Sequence, residues 1–297
     1  MTAATDAEAV FVAGAFRPAE GAIHAADRGL LLADGVFDTA LVLGGVVFRG
    51  EDHLSRLTAA CADLAIPVGR AELAPAMAAL AGRCGDGSIR LTVTRGPGPR
   101  GLALPESPRP TILGSVAPLA PQMMFRPVSL ATTAIRRNET SPTARCKSLA
   151  YLDAVLALRE AKARGSDDAL FLNTSGRLAS TALANLFVAD GDRLLTPRLS
   201  EGVLPGIMRK WLIDNAAGCK ISVEETEIAP DLPPGCALFA TNSLRLLAPV
   251  TRLDGAPLPG SAAAARLARA LCEAIAAECG RDPRDFGASL SGLTPIG

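Results

Sequence analysis

The chain contains only four lysines, and one of them has the surroundings of a reactive amine. Lys147 lies in the segment ARCKSLAYLDAVL, where small and apolar residues follow it. Partial burial favours the neutral form of an amine, and that form attacks an aldehyde to give a Schiff base. The structural alternative is a lysine whose aliphatic chain covers apolar surface at the start of a helix. Lys162 and Lys210 lie beside charged residues on predicted helices, where water solvates them.

Other kinds of catalytic centre lack their usual residues. The sequence has no GxSxG nucleophile turn, no Walker motif and no GxGxxG after a strand. Its seven cysteines include no CxxC pair, and its two histidines, His24 and His53, are expected to be structural. We therefore expect neither a metal site nor a secreted disulfide framework.

The composition argues against several classes of partner. Of 297 residues, 30 are basic and 30 are acidic, so the formal net charge is zero at pH 7. A neutral chain lacks a general attraction to phosphate backbones and anionic lipids, which argues against nucleic acid and membrane partners. No run of about 18 uncharged apolar residues predicts a membrane span, and residues 1–12 lack the pattern of a signal peptide. We expect a cytoplasmic protein with reduced cysteines.

The spacing of apolar residues predicts the elements that must position the amine. Helical spacing occurs in four segments: 51–65, 151–164, 206–217 and 261–279. Short or alternating apolar runs predict strands at 10–12, 88–94, 111–116, 168–173 and 183–189, and a hairpin around Gly44-Gly45 at 41–49. Lys147 lies just ahead of the second helix. The irregular order of helices and strands predicts a mixed α/β or α+β fold, and the proline-rich segment 117–127 is the candidate boundary between domains.

Seven segments together resemble the fold-type IV pyridoxal-phosphate enzymes, which form the class IV aminotransferase family. This family includes branched-chain and D-amino-acid transaminases and aminodeoxychorismate lyase. The matching segments occur in the order and at the spacing of the family: DRGLLLADGVFDT (27–39), EDHLSRL (51–57), RLTVTRGPGPRG (90–101), CKSLAYL (146–152), GRLASTALANLF (176–187), LTPRLSEGVLPGIMR (195–209) and TNSLRLLAPV (241–250).

The resemblance implies roles for residues around the cofactor ring. Lys147 matches the lysine that binds the pyridoxal phosphate aldehyde as a Schiff base and carries a proton to and from the substrate. Tyr151 lies near the position from which some relatives hydrogen-bond the pyridine oxygen, and a packing role is its alternative. Ser180 stands where family members usually carry a glutamate that keeps the pyridine nitrogen protonated. A neutral hydroxyl stabilises a pyridinium less than a carboxylate does, so we expect a weaker electron sink.

The resemblance also implies a site for the cofactor phosphate. Arg56, in HLSRL, matches an arginine that binds this group. Gly206, Ile207 and Met208 match the turn whose backbone N–H groups hold the phosphate at a helix N-terminus, where the helix dipole favours an anion. Ser243 falls where relatives supply a hydroxyl or an N–H to the same phosphate.

On the substrate side, the resemblance separates the family members only in part. Arg100 matches the arginine that holds the substrate carboxylate in D-amino-acid transaminases, but Leu102 replaces the histidine that follows it in those enzymes. Asn242, in TNSLR, resembles the asparagine at the substrate of aminodeoxychorismate lyase. Arg28 and Arg95 would add positive charge for a dicarboxylate, with a turn arginine and a strand-end arginine as the structural alternatives.

The leading hypothesis is therefore a lyase that converts 4-amino-4-deoxychorismate into pyruvate and 4-aminobenzoate. Aromatisation drives that reaction, so a weak electron sink is tolerable. The alternatives are a transaminase of D-amino or branched-chain amino acids with 2-oxo acids, and a non-catalytic relative that binds the cofactor. The resemblance further implies a small N-terminal α/β domain (1–118), an interdomain loop (119–131) and a larger barrel-like domain (132–297). It also implies a cofactor in the cleft and a homodimer.

Overall fold

The computed structural model describes residues 9–293, which form two compact units. The first unit comprises Met1–Leu119 together with Cys146–Ala150, and the second comprises Ala120–Arg145 together with Tyr151–Gly297. Two differences from the predicted domains follow. The predicted loop at 119–131 contains most of a strand of the second unit, and the segment that holds Lys147 groups with the first unit. The outer ends of both predicted domains, and most of the N-terminal segment tested for a signal peptide, lie outside the described residues.

The first unit contains an antiparallel sheet of six strands in the order β2-β1-β6-β5-β3-β4. The strands are β1 (Ala9–Val12), β2 (Ala15–Pro18), β3 (Gly35–Leu43), β4 (Val46–Val47), β5 (Gly87–Thr94) and β6 (Thr111–Pro118). The longest, β3, pairs with β5 from Gly35 to Val42, and only its last residue, Leu43, lies beyond this pairing. The segment with Lys147 is hydrogen-bonded to this strand.

Three helices accompany this sheet: α1 (Arg28–Leu32), α2 (Gly50–Asp63) and α3 (Arg70–Cys84). Side chains alternate along β3, so Val36, Ala40 and Val42 form a core with the apolar residues of α2 and α3. The α3 helix is absent from the sequence-based prediction. Its many alanines and an internal Pro75 obscure the helical pattern, which Leu73, Met77 and Leu80 carry in the structure.

The second unit contains a sheet of nine strands, six of which close into a ring in the order β10-β13-β14-β7-β8-β9. Pairing between β9 and β10 closes the ring, while β11 and β12 extend it and β15 pairs with β14. The strands are β7 (Val128–Thr132), β8 (Asp168–Leu172), β9 (Leu178–Thr181), β10 (Asn185–Asp190), β11 (Arg193–Pro197), β12 (Ser222–Thr226), β13 (Ala237–Asn242), β14 (Leu246–Leu253) and β15 (Ala256–Pro257). This ring confirms the predicted barrel-like fold.

Helices α4 (Leu152–Ala163), α5 (Ile207–Asn215) and α6 (Ala262–Cys279) belong to the second unit. Leu170 and Leu172 of β8 contribute to the large apolar core of the ring, whereas Ala169 and Phe171 pack with α4 on the other face. The strand therefore presents one face to each core, as the alternation of side chains requires. Within residues 9–293, no helix is long and apolar enough to cross a membrane.

Candidate active site

The segment that carries Lys147 is attached to the end of β3. The Phe37 amide donates to the Lys147 carbonyl oxygen at 2.9 Å, and the Leu149 amide donates to the Gly35 carbonyl oxygen at 3.0 Å. A side chain at Gly35 would meet the Val93 carbonyl and the Leu149 side chain, so glycine is needed where the segment approaches. The backbone on either side of the lysine is thereby fixed to the sheet.

The Lys147 amine lies over an aromatic ring. Its Nζ is 4.3 Å from the centroid of the Phe37 ring, and the Arg90 guanidinium carbon is 3.5 Å from the same centroid. A cation over an aromatic face is attracted by the ring quadrupole. Phe37, which is buried, is therefore a platform that orients the amine predicted to do the chemistry.

Arg56 belongs to a buried charge network that joins α2 to β3. Its Nε and one Nη donate to the two oxygens of Asp38, both at 2.8 Å, and His53 Nδ1 lies 2.7 Å from Asp38 Oδ1. Burial opposes the charge on Asp38, but the contacts with Arg56 and His53 outweigh burial and hold its pKa well below the usual range. The two parallel hydrogen bonds fix the plane of the Arg56 guanidinium. The contact of Arg56 with the cofactor phosphate stays a prediction.

Arg28 and Arg95 converge on Asp34. Each donates through Nε to Asp34 Oδ2 at 2.8 Å. Arg28 also donates to the carbonyl oxygens of residues 101–103, and Arg95 donates to those of residues 64–65. Burial raises the pKa of Asp34, but the bonds from the two arginines give a net lowering. These contacts favour a structural role for both arginines, and their predicted contact with a dicarboxylate stays a prediction.

Arg100 lies in the loop that Arg28 holds in place. Its side chain is exposed and makes no hydrogen bond or ion pair with the rest of residues 9–293. The structure therefore leaves this guanidinium available, and its predicted contact with a substrate carboxylate stays a prediction.

In the second unit, a row of paired residues crosses four adjacent strands. Phe171 of β8 lies opposite Ser180 of β9, Ser180 lies opposite Asn185 of β10, and Asn185 lies opposite Thr241 of β13. Residues directly opposite each other in antiparallel strands share a face of the sheet. Ser180 is thus flanked by an aromatic ring and an amide, and none of the four residues carries an acid.

Asn185 connects this row to the N-terminus of α5. Its Nδ2 donates to the Leu204 carbonyl oxygen at 2.9 Å, and a Cβ on Gly206 would overlap its Oδ1. Gly206 is the N-cap of α5, and no side chain caps this helix. The backbone N–H groups of Ile207 and Met208 make no hydrogen bond with the described part of the chain. Unpaired N–H groups at the positive end of a nine-residue helix fit the predicted phosphate.

The remaining predicted residues of the second unit have different settings. Tyr151 is the N-cap of α4 and packs against the cluster that contains Phe171. Asn242 shapes the turn between β13 and β14, because its Oδ1 accepts from the amides of Leu244 and Arg245 at 3.0 and 2.8 Å. Ser243 lies within that turn and is half-buried. The Asn242 contacts favour a role in the turn, and its contact with substrate stays a prediction.

Two positioning residues escaped the sequence-based prediction: Asp38, which orients Arg56, and Asn185, which holds the turn before α5. Both lie inside segments that resemble the family, GVFDT and LANLF. Neither residue has a distinctive pattern in one sequence, because its partner lies far along the chain.

Comparison with known proteins agrees with the fold and with these segments. The family model described as amino-transferase class IV matches residues 35–253. A putative branched-chain-amino-acid aminotransferase of Methanocaldococcus jannaschii is 32% identical over 237 residues, which cover 77% of this chain and 82% of that protein. Aminodeoxychorismate lyase of Bacillus subtilis is 29% identical over 236 residues, covering 77% of this chain and 80% of the lyase.

A solved structure adds the cofactor. The pyridoxal-phosphate-bound form of a hypothetical aminotransferase from Mycobacterium tuberculosis has a TM-score of 0.78 and 25% identity, and covers 91% of this chain and 99% of that chain. The family match spans both units and includes the segments around Lys147, Ser180 and α5. This chain belongs to the class IV aminotransferase family, whose members act with pyridoxal phosphate.

Proposed function

We propose that this class IV aminotransferase relative is a lyase that splits 4-amino-4-deoxychorismate into pyruvate and 4-aminobenzoate. One observation carries the choice: the row Phe171, Ser180, Asn185 and Thr241 holds no acid, although the family resemblance implies a carboxylate at position 180. Without that acid the cofactor draws electrons less strongly. A reaction that ends in an aromatic ring tolerates this weakness better than transamination does.

The proposed cofactor contacts follow the resemblance and the chemistry of the donors. Lys147 is the amine that bonds to the aldehyde. The N–H groups of Ile207 and Met208 at the start of α5 hold the phosphate, with Ser243 adding a hydroxyl or an N–H. Arg56 is assigned to the phosphate by the resemblance alone.

Tyr151 and Ser180 are the proposed contacts of the cofactor ring. Both belong to the face of the second unit where Phe171 packs against α4. The proposed assignments give the pyridine oxygen to Tyr151 and the pyridine nitrogen to Ser180.

Lys147 is the only proposed group that moves a proton. Bound pyridoxal phosphate supplies an aldehyde carbon that bonds to amines and a ring that draws electrons from the attached substrate carbon. The Lys147 amine removes the proton from the substrate ring carbon that bears the amino group. The carbon–oxygen bond to the enolpyruvyl group breaks, the ring becomes aromatic, and the proton goes to the departing group, which is released as pyruvate. The Phe37 ring holds the amine close to its segment of backbone during this exchange.

On the substrate side, Arg100 is proposed to bind a carboxylate of the substrate. It is exposed and has no partner among residues 9–293, so binding an anion would break no existing ion pair. Asn242 is proposed to lie at the substrate through the resemblance to the lyase.

Three parallel incubations test the activity. The purified protein is supplied with aminodeoxychorismate, with D-alanine plus 2-oxoglutarate, and with L-leucine plus 2-oxoglutarate. We expect pyruvate and 4-aminobenzoate in equal amounts from the first incubation. Their absence there would refute the lyase, and inactivity in all three would favour a non-catalytic relative that binds the cofactor.

A matched pair of lysine variants tests the role of Lys147. Lys147→Ala is expected to lose at least about a thousandfold in turnover, because the covalent attachment and the proton carrier disappear together. Lys162→Ala, which removes an exposed amine 3.8 Å from Asp167, is expected to keep wild-type turnover. Borohydride treatment of the holoenzyme should leave a stable adduct on Lys147, and the same adduct in Lys147→Ala would contradict the assignment.

A transaminase is the second candidate, and a specific observation favours it. The Methanocaldococcus relative, at 32% identity, is described as a putative branched-chain-amino-acid aminotransferase. Formation of glutamate in the incubation with L-leucine or D-alanine, without 4-aminobenzoate in the first, would support this alternative.

We also propose that the protein is a cytoplasmic homodimer. None of the seven cysteines forms a disulfide within residues 9–293, which suits a reducing compartment. Leu30 and Leu31 of α1 are 69% and 59% exposed, and Leu102, in the loop that Arg28 attaches to α1, is 83% exposed. An exposed apolar surface of this kind suits contact with a second copy. Light scattering should give twice the mass of the chain, and Leu30→Glu should reduce it; a monomeric wild type would contradict the proposal.

A further inference from the structure

Arg137, a half-buried arginine of the second unit, differs from the buried arginines of the chain in its partners. Arg137 follows β7, and its backbone runs beside the end of β8: its amide donates to the Leu172 carbonyl oxygen at 2.9 Å, and its carbonyl oxygen accepts from the Thr174 amide at 3.0 Å. Its guanidinium carbon lies 4.0 Å from the centroid of the Phe171 ring. The backbone bonds and the stacking fix where this cation lies.

The Arg137 guanidinium makes no hydrogen bond and no ion pair with any other residue in the described range 9–293. By contrast, Arg28, Arg95 and Arg209 are buried, and each donates to a carboxylate at 2.8 to 3.1 Å. Burial lowers the pKa of the Arg137 guanidinium from its usual value, although arginine remains charged at neutral pH. This is a desolvated cation that the chain leaves without a counter-ion in contact.

The titratable groups around Arg137 do not neutralise it directly. Tyr151, Asp153 and Asp168 are near enough to favour its charged form, but none forms a hydrogen bond or an ion pair with it. The carboxylate of Asp168 accepts instead from the Ala169 amide at 2.8 Å. Burial raises the pKa of Asp168 from its usual value.

The position of Arg137 relative to Ser180 follows from the sheet. The ring under the guanidinium belongs to Phe171, which lies directly opposite Ser180 across β8 and β9. Paired residues share a face and lie about 5 Å apart. The cation is therefore stacked on the immediate neighbour of the residue that replaces the usual glutamate.

We propose that Arg137, acting with Ser180, keeps the pyridine nitrogen of the bound cofactor unprotonated. This inference rests on the proposed function, which gives Ser180 the contact with that nitrogen. A guanidinium has five N–H donors and no acceptor, so beside a nitrogen lone pair it donates and cannot receive a proton. Its positive charge also opposes a second positive charge on the nitrogen.

The serine hydroxyl suits the same arrangement. A hydroxyl donates to one partner and accepts from another, so Ser180 can donate to the nitrogen while accepting from the guanidinium. A carboxylate at this position would do the opposite: it would neutralise Arg137 and stabilise a protonated nitrogen. With serine in place of glutamate, the negative charge beside the pyridine nitrogen is absent, and the positive charge of Arg137 remains.

The test measures the protonation state of the pyridine nitrogen rather than turnover. The holoenzyme is reconstituted with pyridoxal phosphate labelled with nitrogen-15 in the ring, and its resonance is recorded in the wild type and in four variants. We expect the wild type at the position of a free pyridine. Ser180→Glu should move the resonance to the pyridinium position, and Arg137→Met should move it in the same direction at neutral pH.

Two control variants keep the test specific. Arg136→Met removes the exposed neighbouring arginine and is expected to leave the resonance unchanged. Arg137→Lys keeps the charge and should keep the nitrogen unprotonated. If Arg137→Met fails to fold, Ser180→Glu still decides the question, because an unprotonated nitrogen in that variant would contradict the proposal.

The outcomes separate this inference from the proposed function. A pyridinium resonance in a wild type that still carries the borohydride-stable adduct on Lys147 would overturn the role of Arg137 alone. A wild type that forms no adduct and shows no cofactor absorbance would overturn the proposed function and, with it, this inference. An Arg137→Met spectrum identical to that of the wild type would also overturn it.

Discussion

Arg56 in the first unit and Arg137 in the second are both largely withdrawn from water, and they differ in what accompanies them. Arg56 donates twice to Asp38, which also contacts His53, so its charge is balanced within the unit. Arg137 stacks on Phe171 and contacts no carboxylate in the described part of the chain. The first arrangement joins a helix to a strand. The second keeps a cation whose counter-ion the unit does not provide.

The difference separates two uses of arginine that a sequence does not distinguish. A buried cation that is fully bonded stabilises the position of its neighbours. A cation that is desolvated without an anion is unfavourable for folding, and a bound ligand that accepts its hydrogen bonds would offset that cost. By this criterion Arg28 and Arg95, which both donate to Asp34, are structural cations like Arg56. Arg137 resembles the uncapped N-terminus of α5, because both have donors that are left for a ligand.

The largest difference is expected between the effects of replacing Arg56 and Arg137 on the free energy of unfolding. Arg56→Met leaves Asp38 buried without its main counter-ion, and we expect a loss of about 3–5 kcal/mol in the free energy of unfolding. Arg137→Met breaks no ion pair, so we expect a change within about 1 kcal/mol of the wild type. Urea unfolding of the cofactor-free proteins measures both values. Equal losses in the two variants would remove the distinction between the arginines.

Acid should act on the paired network of the first unit. The folded pKa of Asp38 lies below its unfolded value, so its contribution is present above about pH 4 and is lost as pH falls further. The free energy of unfolding of the wild type should therefore fall more steeply with acid than that of Asp38→Asn. The difference in slope should approach about 1.4 kcal/mol per pH unit below pH 4. Parallel slopes would show that Asp38 titrates normally.

A smaller effect is expected at the start of α5. Gly206→Ala places a methyl group against Asn185 Oδ1, whose amide is held by the Leu204 carbonyl, and should cost about 1–3 kcal/mol in the free energy of unfolding. It should also weaken cofactor binding, because the N–H groups of the turn move. Gly218→Ala is the matched control, since nothing lies within 4 Å of a Cβ there and its effect should stay within about 0.5 kcal/mol. Similar losses in both variants would argue against a tight fit at Gly206.

Much of the fold could be predicted because local patterns decide it. The predicted helix at 151–164 corresponds to α4 (Leu152–Ala163), and the predicted strand at 88–94 corresponds to β5 (Gly87–Thr94). In both segments the periodicity of apolar residues matches the element that buries them. Strand β7, most of which lies in the predicted loop at 119–131, is absent from the predicted strands. The prolines of this segment are a local signal, whereas β8 and β14, the strands that pair with β7, are distant in the chain.

The candidate site could be predicted only as residue types. The family segments drew attention to Lys147, Ser180 and the turn before α5. The surroundings that decide the role of Arg28 could not be predicted, since Asp34 and the carbonyl oxygens of residues 101–103 meet it only after folding. Arg137 drew no attention for the same reason: its significance depends on an absent partner and on its position over Phe171.

The parallel pairing of β7 with β14 has a consequence for the newly made chain. Val128 and Val250, which face each other across these strands, lie about 120 residues apart in the sequence. As translation proceeds from the N-terminus, one edge of β7 has no partner until β14 has left the ribosome. An open strand edge in an incomplete ring invites pairing with other chains. Nascent chains that end before residue 246 should therefore depend more on chaperones than chains that extend beyond residue 253.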